Sequence, residues 1–161
     1  MSSTDGPITD RLLTGTDEAT IDDKGRILVG KKKRERLGET FVLSIGQTGC
    51  LDAYPQSIWD GVVADVLGHE RINAGTQDYA RFMLADAEDD IKFDQQGRFV
   101  VPQRMRTVAN LKDKVLLLGC GIKVEIWSKQ EYELFRTHPD TYGLERRQSI
   151  DKAYRQMKGQ S

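Results

Sequence analysis

The chain has 161 residues, 38% hydrophobic and 30% charged, enough for one domain with a proper core or two small halves folded together. No apolar run approaches the ~20 residues that cross a bilayer, and the polar stretch from Met1 to Thr16 has no signal-peptide core, so no membrane partner and a cytoplasmic location are expected. A net charge of −1 by itself argues against a nucleic-acid binder, yet seven basic residues lie between Lys24 and Arg36 against one acid, Glu35.

Residues 1–17, rich in Ser, Thr, Gly and Asp, read as a flexible N-terminal arm. A first repeat is expected over 18–60. It opens with a short strand, Ala19 to Ile21, and a turn from Asp22 to Gly25, where Asp accepts backbone amides and Gly supplies a positive φ. Arg26 to Val29 then leaves as a strand, and Lys31 to Leu37 forms a short helix ended by Gly38. Thr40 to Ile45 and Cys50 to Tyr54 read as a hairpin through Gly46-Gln47-Thr48-Gly49. A helical insert is expected over 61–88. Ser57 caps a helix bearing Ile58, Val62, Val63, Val66 and Leu67, and a second helix runs from Thr76 to Ala87 with Tyr79, Phe82 and Met83 on one face. Val62, Val66, Tyr79 and Phe82 are expected to supply subunit contacts.

The second repeat, 89–136, follows the same order. Strand Ile91 to Phe93 leads into the turn Asp94 to Gly97, strand Arg98 to Val101 and a helix with Pro102 at its first position. Val115 to Leu118 and Lys123 to Trp127 form its hairpin; Ser128 with Glu131 is a capping box opening a helix through Tyr132 and Phe135. The charged tail, 137–161, reads as marginal helix or disorder.

The chain repeats itself closely at one place. Asp22-Asp23-Lys24-Gly25-Arg26-Ile27-Leu28-Val29 and Asp94-Gln95-Gln96-Gly97-Arg98-Phe99-Val100-Val101 lie 72 positions apart, with Arg34 matching Arg106 and Ala53-Tyr54 matching Ile126-Trp127. Such duplication implies internal pseudo-twofold symmetry, suited to a repeated or two-sided partner. Two readings of the turn stand side by side. Asp and Arg form a structural ion pair with the lysines merely solvated, or the arginine fork, which fits a phosphate or guanine O6/N7, faces nucleic acid. On the second reading the candidate contacts are Lys24, Arg26, Lys31, Lys32, Lys33, Arg34, Arg98, Arg104 and Arg106, with Asp22, Gly25, Asp94 and Gly97 shaping the turns.

The duplicated D-x-x-G-R signature, each followed by an apolar strand, a short helix and a hairpin ending in an aromatic, resembles the MraZ family of bacterial transcriptional regulators, within the SpoVT/AbrB swapped-hairpin superfamily. The resemblance covers about residues 19 to 136. It implies an α+β fold of duplicated swapped-hairpin, AbrB-like β-barrel halves with short helices, assembled as a homo-oligomeric ring. It also implies a nucleoid-associated regulator that binds double-stranded DNA at direct repeats upstream of the division and cell-wall gene cluster. Gly30 stands where the family has proline, kept in the second copy as Pro102, and Gln96 replaces a basic residue.

No catalytic set is apparent. His69 and His138 lie apart from any Ser, Cys or Asp array, no phosphate-binding loop motif occurs, and Asp86 to Asp90 reads as a solvated acidic linker; no enzyme activity, cofactor, metal or small-molecule substrate is expected. Cys50 and Cys120 are expected as buried thiols. The alternative to a DNA-binding regulator is a ring-forming interaction module with weak or no DNA binding. An AbrB-like antitoxin is a third option, but it normally carries one such motif in a short chain.

Overall fold

The first copy, in a computed structural model that describes residues 12–160, runs β1 (Thr16–Thr20), β2 (Arg26–Leu28), α1 (Lys31–Leu37), β3 (Thr40–Ile45) and β4 (Leu51–Pro55). Two helices follow, α2 (Gln56–Leu67) and α3 (Ala74–Met83). The second copy repeats the order as β5 (Glu88–Lys92), β6 (Arg98–Val100), α4 (Gln103–Val108), β7 (Lys114–Gly119) and β8 (Val124–Ser128), then α5 (Lys129–Thr137) and α6 (Leu144–Met157). The fold is therefore α+β with antiparallel sheets.

Strand pairing exchanges elements between the copies. The larger sheet has the order β1-β7-β8-β4-β3-β5, so the opening strand of each copy pairs with the hairpin of the other. The hairpins meet at the centre, where Leu51, Asp52 and Ala53 of β4 face Ile126, Glu125 and Val124 of β8. A separate two-stranded ribbon joins β2 to β6. Neither copy completes its own sheet, which couples the two halves into one cooperative unit. Between them lies the main core, with Ile27, Phe41, Leu43, Leu51, Phe99, Met105, Val115 and Ile126 buried. Each such side chain contributes about 1.5–3 kcal/mol by leaving water.

Several expectations need correction. The arm was expected to reach residue 17, but Leu13 is buried and exchanges backbone hydrogen bonds with Gly121, and β1 begins at Thr16. The polar composition hid an apolar anchor followed by a sheet edge. Residues 1–11 of that arm lie outside the described residues. The tail is ordered as α6, whose Ile150, Ala153 and Met157 bury against Val66, Tyr79 and Met83. Gly75 permits this crossing, because a Cβ there would lie 2.3 Å from Gln156 Cβ and 2.5 Å from Met157 N. Val66 and Tyr79, expected at subunit contacts, are thus covered within the chain, and Val62 and Phe82 pack partly against the same cluster.

Smaller differences concern element ends and thiols. α2 starts after Pro55 instead of at Ser57, and α3 starts at Ala74 under an Asn73 cap and stops at Met83. Glu88 to Asp90 belong to β5, not to a linker, with Asp90 at φ +56° beside a register shift. Pro102 immediately precedes α4, and Ser128 Oγ accepts the Glu131 amide as a cap should. Cys50 is buried but Cys120 is exposed.

Candidate functional site

Each D-x-x-G-R turn is a self-contained hydrogen-bonded unit. Asp22 Oδ1 accepts the amides of Lys24 (3.0 Å) and Arg26 (2.9 Å), and Oδ2 accepts Arg26 Nε at 2.6 Å. Asp94 does the same for Gln96 and Arg98, all at 2.9 Å. The Arg26 and Arg98 amides are the leading causes that hold the two carboxyl groups below the ordinary aspartate range, with the guanidinium bonds adding to them. Gly25 and Gly97 sit at φ +82° and +85°, where a side chain is strained.

The ion pair and an outward-facing arginine coexist. Aspartate takes only Nε, so the terminal nitrogens of Arg26 and Arg98 make no hydrogen bond to any described residue. Aspartate thereby fixes the stem and leaves the fork free, a geometry suited to an anion.

Alternation along the ribbon sets the direction. Ile27 and Phe99 point into the core, so Arg26 and Leu28, with Arg98 and Val100, share the opposite face. Arg26 pairs across the ribbon with Val100, and Leu28 with Arg98. Leu28 and Val100, each at the end of its strand, are 55% and 52% exposed, which is notable for such side chains. They sit diagonally across the ribbon, each opposite an arginine, and residue type alone did not mark them. The period-2 pattern of Arg26-Ile27-Leu28-Val29 was the signal that could have found them.

The remaining basic residues divide by environment. Lys24, Lys31 and Lys32 are exposed, Lys31 lying 3.9 Å from Glu35. Lys33 turns inward: it is buried, donates to Thr14 O, and pairs with Asp17 at 2.6 Å. Arg104 is exposed but pairs with Glu88 at 3.0 Å. Arg34 and Arg106 each cross to the other copy's turn. A Cβ at Gly97 would lie 2.5 Å from Arg34 Nη1, and one at Gly25 would lie 2.8 Å from Arg106 Cζ. The turn glycines are thus required twice, for φ and for this close approach.

Among the described residues one group could gather ligand atoms for a cation: Cys50, Asp52 and Glu125, within 4.8 Å of one another. Lys123 already supplies the positive charge there, 3.1 Å from Asp52 and 3.3 Å from Glu125. His69 lies 3.6 Å from Asp65, and His138 contacts Thr137. No helix among the described residues is long and apolar enough to cross a membrane.

Comparison with known proteins agrees with the repeat. A family model described as "MraZ protein, putative antitoxin-like" matches residues 12–79 and 83–141. A protein of Thermoanaerobacter sp. (strain X514) named transcriptional regulator MraZ is 36% identical over 129 residues, covering 80% of this chain and 90% of its own length. Proteins of the same name are 33% identical in Thermoanaerobacter pseudethanolicus, over 88% of this chain and 98% of the relative, and 35% in Pediococcus pentosaceus, over 76% and 85%. With the duplicated turns, the exchanged strands and matches across most of its length, this chain belongs to the MraZ family.

Proposed function

We propose that the protein is a transcriptional regulator that binds double-stranded DNA through the exposed face of the β2–β6 ribbon. The observation that carries this reading is the pair Arg26 and Arg98, each pinned through Nε by its own aspartate with its fork unspent toward any described residue. A two-stranded ribbon fits the major groove, where an arginine fork can read guanine and an apolar side chain such as Leu28 or Val100 can meet a thymine methyl. Lys24, Lys31 and Lys32 would add sequence-independent phosphate contacts. Lys33 and Arg104 fall outside the contact set because their charges are committed to Asp17 and Glu88.

The names of the relatives support a regulatory role. We extend the reading to direct repeats upstream of the division and cell-wall gene cluster, and to a cytoplasmic, nucleoid-associated ring. The exchange of β1 and β5 between copies supports the swapped-hairpin description of each subunit. In a ring, weak contacts made by single subunits to successive repeats would add through effective concentration.

A salt titration tests this against a protein-only scaffold. Binding to a duplex from the gene's own upstream region should fall with a log–log slope near −0.9 per phosphate contact. Arg26→Ala should weaken that binding by roughly 5- to 150-fold, the 1–3 kcal/mol of one good arginine–base pair, with the oligomer unchanged on sizing. Unaltered affinity in the variant rejects the assigned role.

A further inference from the structure

The two turns are related by sequence and by fold, yet the arginines that cross onto them are used differently. Arg34 covers Gly97 and donates through Nη1 to Val29 O at 2.5 Å, within its own copy. Its equivalent, Arg106, covers Gly25 with its Cζ and Nε, but its side chain makes no hydrogen bond to any described residue. Nε is shielded and unpartnered, while Nη1 and Nη2 are absent from the shielded, unpaired atoms. The shielded Nε carries the cost of an unmet donor, whereas the terminal nitrogens are open to solvent and free to meet an acceptor.

Chemistry around the two glycines differs in the same sense. Gly25 is flanked by Lys24 and Arg26, with the exposed Asp23 before them, whereas Gly97 is flanked by Gln96 and Arg98, with Gln95 before them. Each glycine carbonyl is fixed by the opposite copy: Val101 N donates to Gly25 O at 2.8 Å, and Val29 N donates to Gly97 O at 3.0 Å. Both turns are therefore equally anchored in the backbone, and the difference lies in the side chains: Lys24 beside Gly25, and a crossing arginine whose terminal donors are unspent toward any described residue.

We propose that the first turn, completed by Arg106 from the second copy, is a composite site for a backbone phosphate of duplex DNA, whereas Arg34 is a positioning residue that braces the second turn without touching DNA. The site takes Lys24 and Arg26 from one copy and Arg106 from the other, so neither copy possesses it alone. This inference rests on the DNA-binding reading above.

Arg106→Gln and Arg34→Gln in the full chain test it, since glutamine keeps part of the aliphatic stem over each glycine. Binding to the upstream duplex is measured across a salt series, with circular dichroism and sizing as controls. Arg106→Gln should flatten the log–log slope by ~0.9, the loss of one phosphate contact, and Arg34→Gln should leave the slope unchanged. A bracing role alone does not move the slope. Equal slope changes in the two variants would overturn the inference while leaving DNA binding intact; a wild-type protein that binds no duplex would overturn both. On the wild-type protein, which needs no variant to fold, phenylglyoxal labelling read by mass spectrometry should show Arg106 protected by the duplex. Labelling of Arg106 at an undiminished rate in the complex rejects the site.

Discussion

Asp52 on β4 faces Glu125 on β8 across the centre of the sheet, and one ammonium, Lys123, lies within 3.3 Å of both. Burial pushes the Asp52 carboxyl from 3.8 up to about 6, outweighing the neighbouring lysine. A carboxyl raised in the folded state is charged there against its preference at any pH above that value. Its cost is absent below the unfolded pKa and complete above about pH 6. Folding stability should therefore contain a component that falls as pH rises from about 4 to 6, on the order of 2–3 kcal/mol. Denaturant unfolding of wild type and Asp52→Asn at several pH values measures it: the asparagine variant should gain relative to wild type across that window. Parallel pH profiles would show that Asp52 does not titrate there.

Gly30 departs from the proline found at the matching position of the second copy without departing from its geometry. Its φ and ψ are −64° and 154°, against −55° and 145° at Pro102, and a Cβ at Gly30 meets nothing within 4 Å. Gly30→Pro should stabilise the protein by about 0.4–1 kcal/mol by narrowing the unfolded ensemble. A thermal melt reads the gain; a lower midpoint would mean that the turn into α1 must flex.

Much of this architecture was legible in the sequence because it depends on local chemistry. The turns follow from Asp and Gly at fixed offsets, α1 from the run ending at Gly38, and the hairpins from apolar runs around glycine. What escaped was decided by partners distant in the chain. The charged tail became a helix because α3 offers Gly75 as a crossing point, where Ile150, Ala153 and Met157 bury. Lys33 belonged to a basic run by composition, but its position on α1 points it at Asp17. The arginine face was legible in part: Arg26 and Arg98 stood out, whereas Leu28 and Val100 needed the register of β2 against β6.

The α3–α6 cluster should be a distinct contributor to stability. Ile150 is 1% exposed, and Ile150→Ala should cost about 2–5 kcal/mol through lost burial and a residual cavity. Hydrogen exchange would report faster opening over 144–157 in that variant, with the β2–β6 ribbon unchanged. Exchange that quickened equally throughout would show that α6 is not a separable layer.

Direct contact between the ribbon and the duplex is the central claim. A photo-crosslinking amino acid placed at Leu28, irradiated with the upstream duplex, reports contact without relying on lost affinity. Covalent attachment at Leu28, outcompeted by the same unlabelled duplex and absent when the label is moved to Ile72, exposed between α2 and α3, is the predicted result. Efficient attachment at Ile72 with none at Leu28, in a complex of undiminished affinity, would contradict it.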